Sequence, residues 1–392
     1  MPKIKTHPSI DIAIVGGGLV GALLALLLAR EGLRVLLVEK KLIRDLPLEN
    51  QKDTRNLGLN YGTVKLFEAW GLADVIFQQG FPIQHIEVSD QGQSGVVHIE
   101  SKEEGLPYLG YGVPFNHLLA FLQNQVLACP EINCIEGEVT DLKVTETGAA
   151  LRVGAEIFNT QLLIGADGVD SIVRRKMGWN LEEYDYQQTA LIGPVVMTQI
   201  QRDQAFERFT RDGPVALLPN APGKMTLVWV LPTRLAKVQK TLPSPLFCQD
   251  LQKIFAYRAG VFQSIEHLVA YPLKRAVASQ IYQGAVGLLG NAAHLLHPVA
   301  GQGFNLSVRD VLTFVEVIKR HAGQKLDESI WAEYASLSSS QQEQISAVTH
   351  GFIKVFERSE WPIKVARNLM LHGLEAVRPF KKILNNVMIG RM

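Results

Sequence analysis

Residues 12–32, IAIVGGGLVGALLALLLAREG, leave few options for how this chain begins to fold. No charge stands between Asp11 and Arg30. An apolar run of about 18 residues is long enough for a membrane-spanning helix. This run, however, is interrupted by Gly16-Gly17-Gly18 and again by Gly21. Glycines cluster in this way where backbone turns tightly against a phosphate, and they weaken a spanning or signal helix at its centre. Lys3 and Lys5 precede the run as in a secretory leader, but no small-residue cleavage site with a polar continuation follows. Instead, a second apolar run begins at Val35. Ile10–Val15 reads as a buried strand, Gly16–Gly18 as a turn, and Leu19–Glu31 as a helix apolar on all sides. Val35–Val38 reads as another buried strand, ended by Glu39. This βαβ unit implies a parallel sheet.

Gly16-x-Gly18-x-x-Gly21 thus lies between a strand and a helix. The first glycine permits the turn, the second lets backbone approach a pyrophosphate, and the third lets helix and strand pack closely. The helix N-terminus adds unpaired N–H donors and a partial positive charge. Glu39 stands 18 residues after Gly21, where an acid holds ribose hydroxyls. An acid there disfavours a 2′-phosphate, so this site selects against NADP.

Further along, Arg44–Asn56 reads as a loop, Thr63–Trp70 as a helix, Ile83–Val88 as a strand and His117–Leu127 as a helix. A β-meander follows over Gly137–Phe158, then a buried strand, Leu162–Ile164. From Thr189 to Pro232 the pattern changes to alternating strands with turns near Asp212 and Pro222, which predicts an inserted antiparallel sheet. Ser244–Ala259 reads as helix, Ala285–Leu289 as a strand of the first kind, and Asn305–His321 as helix. Helical patterning dominates beyond Asp327.

Two more glycine-containing stretches follow buried strands. GADGVDSIVRR (165–175) carries Asp167-Gly168, which alone is a common turn. GNAAHLLHPVAGQGFNLSVRD (290–310) carries Gly301-Gln302-Gly303, a backbone-exposing loop that opens a helix near Asn305. Such a loop offers N–H donors and a helix dipole to an anionic ring or phosphate. His294 and His297 lie in the same stretch, but Pro298 and the glycines argue against a regular helix there, and no third metal ligand is evident. No metal is expected. Trp229 reads as core rather than as a substrate clamp.

In their order and spacing these three motifs resemble the FAD-dependent aromatic hydroxylases, the single-component flavoprotein monooxygenases. HPVAGQGFNLSVRD, HIEVSDQG (85–92), AFERFTRDGPVALLP (205–219) and LVWVLP (227–232) look like the ubiquinone-biosynthesis hydroxylases within them. The resemblance covers nearly the whole chain. It implies an α/β fold with a Rossmann-like FAD-binding domain of the para-hydroxybenzoate-hydroxylase type, an inserted antiparallel β-sheet substrate domain and a helical C-terminus. The FAD-binding part would be discontinuous, over 1–75, 96–178 and 276–335; the substrate domain would take 76–95 and 179–275, and the helical region 336–392. Gly16, Gly18, Gly21 and Glu39 would hold the ADP half of FAD. Asp167 and Gly168 would contact FAD and assist NADPH. Asn291, Pro298, Gly301, Gln302, Gly303 and Asn305 would hold the ribityl chain and flavin, with Pro298 and Gly301 beside the ring and Arg55 near flavin and pyrophosphate. The chain departs from the family in having Asn291 for an aspartate, which keeps a hydrogen bond but no charge, and Ser307 where glycine is common.

The implied reaction uses bound FAD, NADPH or NADH as transient co-substrate, and O2 to hydroxylate the ring of a polyprenyl phenol. The sequence names no residue that deprotonates the phenol. A prenyl reductase and a non-catalytic prenyl carrier are the rival readings; a Trp-x-Trp-x-Ile halogenase motif is absent. Net charge is +1, so nucleic acid is not an expected partner. Cys129, Cys134 and Cys248 form no CxxC pair, which fits a reducing, cytoplasmic setting. Arg367, Arg378, Lys381, Lys382 and Arg391, interleaved with apolar residues, predict a basic amphipathic tail. Peripheral contact with the inner face of a membrane, other ubiquinone-biosynthesis proteins as partners, and an oligomer are expected.

Overall fold

The structure, a computed structural model, describes residues 10–43, 55–199, 203–295, 302–338 and 389–390. Its first sheet is the one the opening stretch predicts. β1 (Ile10–Val15), β2 (Val35–Glu39), β8 (Ile132–Glu136), β11 (Glu156–Gly165) and β19 (Val286–Leu288) run parallel in the order β19-β11-β1-β2-β8. β18 (Tyr282–Gln283) extends one edge, and β9 (Val139–Thr145) and β10 (Gly148–Val153) hang from β11 as an antiparallel meander. Helix α1 (Leu19–Arg30) packs between this sheet, α4 (Phe115–Ala128) and α8 (Gln302–Arg320). Ten of its 12 residues are buried, which accounts for an apolar helix without lipid. Among the described residues no helix is long and apolar enough to cross a membrane.

A second sheet of nine strands holds β5 (His85–Asp90), β6 (Val96–Glu100), β12 (Leu181–Thr198), β13 (Gln204–Thr210), β14 (Gly213–Ala221), β15 (Lys224–Pro232), β16 (Val261–Ile265), β17 (Val269–Ala278) and β20 (His294–Leu295). Its main path runs β20-β17-β12-β15-β14-β13-β5-β6. All its pairs are antiparallel except β13–β5, so the expected antiparallel sheet carries one parallel seam. The sequence boundaries place β6 and β20 with the first domain; both are hydrogen-bonded into this sheet, β6 as hairpin partner of β5 and β20 along β17. Helices α6 (Thr233–Lys240) and α7 (Ser244–Phe255) cover one face. Trp229 is core on that side, with its ring 5.4 Å from Phe247.

Between the two sheets lies a small one, β3 (Asn56–Asn60), β7 (Gly110–Pro114) and β4 (Phe81–Ile83), in the order β3-β7-β4. The predicted single strand Ile83–Val88 is split here. Ile83 pairs with Gly110 of β7, whereas His85 pairs with Gln204 of β13, and Gln84 N donates to Asp203 O as the chain crosses between sheets. The helices α2 (Tyr61–Ala69), α3 (Asp74–Gln79) and α5 (Ile172–Lys176) complete the order. Helix α7 ends before the predicted Ala259, because Ala256 and Tyr257 turn left-handed at φ 47° and 66°. Residues 328–338 are helical; the rest of the predicted basic tail, apart from Ile389 and Gly390, lies outside the described residues.

Candidate active site

Gly16 takes φ +102°, a conformation that costs glycine little. A Cβ there would stand 2.6 Å from Ala166 O and from Asp167 Cα, so the first and second motifs touch. A Cβ on Gly21 would fall on the carbonyl oxygen of Gly16; this is the close helix–strand contact the third glycine allows. At Gly18 a Cβ would meet nothing within 4 Å, because this glycine faces open space. Glu39 braces the loop: its Oε2 accepts from Gly17 N at 2.5 Å and its Oε1 from Lys41 N at 3.0 Å. A residue missed in the sequence braces the other side. Gln123 of α4, 1% exposed, donates to Gly17 O at 2.7 Å and accepts from Ile43 N at 2.8 Å. No local pattern marks a glutamine 106 residues away as a loop support.

Asp167 Oδ2 accepts from Ile172 N at 2.6 Å and Val173 N at 3.3 Å, capping α5. Its Oδ1 is buried with no hydrogen-bond partner, and burial raises the carboxyl above its ordinary range. Gly168, φ +78°, leaves the space before it open.

In the third motif Gly290 turns at φ +62° and delivers Asn291 to the cavity wall. His294 Nε2 lies 2.9 Å from Asp310 Oδ2, both buried, so this histidine ties β20 to α8. Among the described residues no group of three or more His, Cys, Asp or Glu is placed to hold a metal ion. Pro298, Gly301 and His297 lie outside the described residues. Helix α8 opens at Gln302, three residues before the predicted Asn305, so Gly303 sits inside its first turn. Asn305 points back at β3: Nδ2 donates to Gly58 O at 2.8 Å, and Oδ1 accepts from Asn60 N at 3.1 Å. Ser307, small and buried, donates to Gly303 O at 3.1 Å. Arg55 lies over the Phe115 ring, 4.0 Å from its centroid, with Tyr271 at 5.7 Å.

One cavity of about 1020 Å³ joins these parts. Gly16, Gly18, Glu39, Arg55, Asp167, Gly168, Asn291, Gly303 and Asn305 are all on its wall; Gly21 is packed behind it. Its far end is the face of the nine-stranded sheet opposite α6 and α7. There Ile192, Ala216, Leu218, Val228 and Val230 alternate with the core residues Val215, Leu217, Leu227 and Trp229. Glu207 is the exception on this apolar face, and burial pushes its carboxyl up to about 7.

The residues fit a dinucleotide. Gly18, Gly168 and Gly303 each leave open the place a Cβ would take, the N-termini of α1 and α8 aim their partial positive charge into the cavity, and Asp167 Oδ1 waits for a donor. The comparisons agree. A family model described as FAD binding domain matches residues 9–345. The 3-demethoxyubiquinol 3-hydroxylase of Escherichia coli is 31% identical over 389 residues, covering 96% of this chain and 97% of that protein. Ubiquinone hydroxylase UbiL of Rhodospirillum rubrum is 28% identical over 387 residues, covering 97% and 90%. Among solved structures, PqsL of Pseudomonas aeruginosa, a probable FAD-dependent monooxygenase, shares the fold at a TM-score of 0.77 with 20% identity, covering 89% of this chain and 97% of its own. The three motifs therefore meet around one cavity in a chain that belongs to the FAD binding domain family.

Proposed function

We infer that this chain is an NAD(P)H- and O2-dependent FAD monooxygenase that hydroxylates the ring of a polyprenyl phenol in ubiquinone biosynthesis. The observation that carries this reading is the single cavity with a glycine-rich, helix-ended half and an apolar half. The named activities of the ubiquinone hydroxylases it resembles support it. In this reading Gly16, Gly18 and Glu39 take the ADP half of FAD, with Gly21 holding the loop's shape. Asp167 and Gly168 flank the pyrophosphate, and Arg55, Asn291, Pro298, Gly301, Gln302, Gly303 and Asn305 surround the ribityl chain and flavin. Bound FAD, reduced by NADPH or NADH, supplies the electrons and the activated oxygen.

The chain's own part is to bind, orient and keep water out. The N-terminus of α8 stabilises negative charge where it reaches the cavity. The apolar sheet face receives the ring and the start of its tail and excludes water. HIEVSDQG, AFERFTRDGPVALLP and LVWVLP look most like 2-octaprenyl-6-methoxyphenol hydroxylase, whereas the Escherichia coli relative is named for a 3-hydroxylation. Anaerobic reconstitution with FAD and NADPH, followed by O2 and both candidate phenols, tests the assignment. One oxygen atom from O2 in the product is expected; no oxygenated product from any prenylphenol would sink it.

Peripheral membrane contact and an oligomer belong to the same proposal, as does the division into an FAD-binding part, an inserted substrate domain and a helical tail. Deleting residues 367–392 is a poor test of the membrane contact. It removes Ile389, fully buried against the apolar cluster of Ile83, Leu109 and Phe209, and Gly390, whose carbonyl accepts from Arg309 Nη2 at 3.1 Å. Changing Arg367, Arg378, Lys381 and Lys382 to glutamate keeps Ile389 and Gly390 in the chain. Loss of co-sedimentation with anionic liposomes is then the expected result.

A further inference from the structure

Strand β13 brings one carboxylate to a part of the cavity that is otherwise apolar among the described residues. Ala205 and Glu207 line the cavity, while Arg208 points to the opposite face, donating to Ile254 O at 2.7 Å and to Ser89 Oγ at 2.9 Å. Beside Glu207 the register places Val88 on β5 and Ala216 on β14; Ile86 and Leu218 come next, opposite Ala205. Strand β14 carries no charged residue. On β5, Glu87 lies on the far face paired with Arg258 at 3.3 Å, His85 begins the strand near Asp203, and Asp90 ends it opposite Phe209. No hydrogen bond or ion pair to Glu207 occurs among the described residues. An ionisable group held without a partner on an apolar wall costs stability, and such groups concentrate where chemistry uses them.

We propose that Glu207 is the base that receives the phenol's hydroxyl proton while the ring is oxygenated; this rests on the hydroxylase reading above. As the ring carbon gives an electron pair to the activated oxygen, a C–O bond forms and the O–O bond breaks. The phenol O–H bond breaks, its pair becomes the second bond of a C=O, and the proton passes to the Glu207 carboxylate. The dienone that results loses the hydrogen from the oxygenated carbon to water. Its carbonyl oxygen takes the proton back from Glu207, restoring the ring and the carboxylate. The second oxygen atom of O2 leaves as water, and NAD(P)H has supplied the two electrons. A free phenol holds its proton to a pKa of about 10. The carboxyl, pushed up to about 7, accepts that proton only as the ring loses electron density, and it is mostly ionised only above pH 7.

The test uses the full-length flavoprotein and Glu207→Gln, with Glu207→Asp as the conservative variant. Probes are a short-chain prenylphenol and its O-methyl ether. In Glu207→Gln, product formation is expected to fall at least about 100-fold and lose its rise near pH 7, with Glu207→Asp partly restoring both. FAD content and NAD(P)H-driven bleaching of the flavin should stay unchanged. Binding gives a readout that needs no turnover. Above pH 7 the unsubstituted protein should prefer phenol over ether by roughly tenfold, the worth of one hydrogen bond to a charged group, and Glu207→Gln, whose neutral amide oxygen accepts more weakly, should lose most of that preference. Equal affinity for phenol and ether in the unsubstituted protein, or a Glu207→Gln enzyme with the original rate and pH limb, overturns the assignment. A Glu207-dependent preference for phenol without oxygenated product instead defeats the hydroxylase reading, and the base role with it.

Discussion

Gly18 and Gly21 differ in what a side chain would meet, and that difference separates binding from folding. At Gly18 there is only open cavity, so Gly18→Val should keep the melting temperature of the flavin-free protein and abolish the bound-flavin absorbance. At Gly21 the first added carbon runs into Gly16 O. Gly21→Val should therefore lower stability by about 1–3 kcal/mol or more before any ligand is added, read by chemical denaturation. Glu207 gives a pH signature. Its folded-state pKa of about 7 lies above its ordinary value of 4.5, so the folded state binds more protons between those values and stability falls as pH rises through that window. The loss is at most roughly 3 kcal/mol. Denaturation of the flavin-free protein at pH 5 and pH 8 should show it, and Glu207→Leu should remove it. The glycines were legible in the sequence because their roles depend on neighbours a few residues away. Glu207 was not, since AFERF shows a charge on a strand but not which face it takes.

The elements that read correctly are those stabilised by their own periodicity. β1, α1 and β2 have one solution, an apolar unit buried on all sides. The crossing at Gln84 was not readable, because β4 and β5 are divided by partners at Gly110 and Gln204 rather than by any breaker between them. β3 was hidden for the same reason; it pairs with β7 and is fixed in place by a side chain of α8. That clasp gives a prediction. Asn305→Ala leaves Gly58 O and Asn60 N without the partners they now have, at a cost of about 1–3 kcal/mol. It should also weaken FAD affinity, since β3 and the start of α8 form adjoining walls of the cavity. A thermal melt and a flavin titration check the two effects separately.

At the scale of the whole molecule, the three motifs around the cavity come from distant stretches of chain, and a ligand bound there should join them thermodynamically. FAD at 100 times its dissociation constant should add about 2.7 kcal/mol to stability, seen as a rise in melting temperature. Ile389 should matter in the same assay: fully buried beside Ile83 and Phe209, it predicts a loss of about 2–5 kcal/mol for Ile389→Ala. The sequence made the βαβ core and the inserted sheet visible but not how the sheet faces the cavity, because a one-residue slip of register would exchange its two faces. The observed register has a practical consequence for laboratory evolution. Along β14 and β15, every second codon addresses the cavity and the codons between address the fold. A library randomised only at Ala216, Leu218, Val228 and Val230 should yield variants with altered ring or tail preference and near-original expression. An equal library at Val215, Leu217, Leu227 and Trp229 should return mostly insoluble clones.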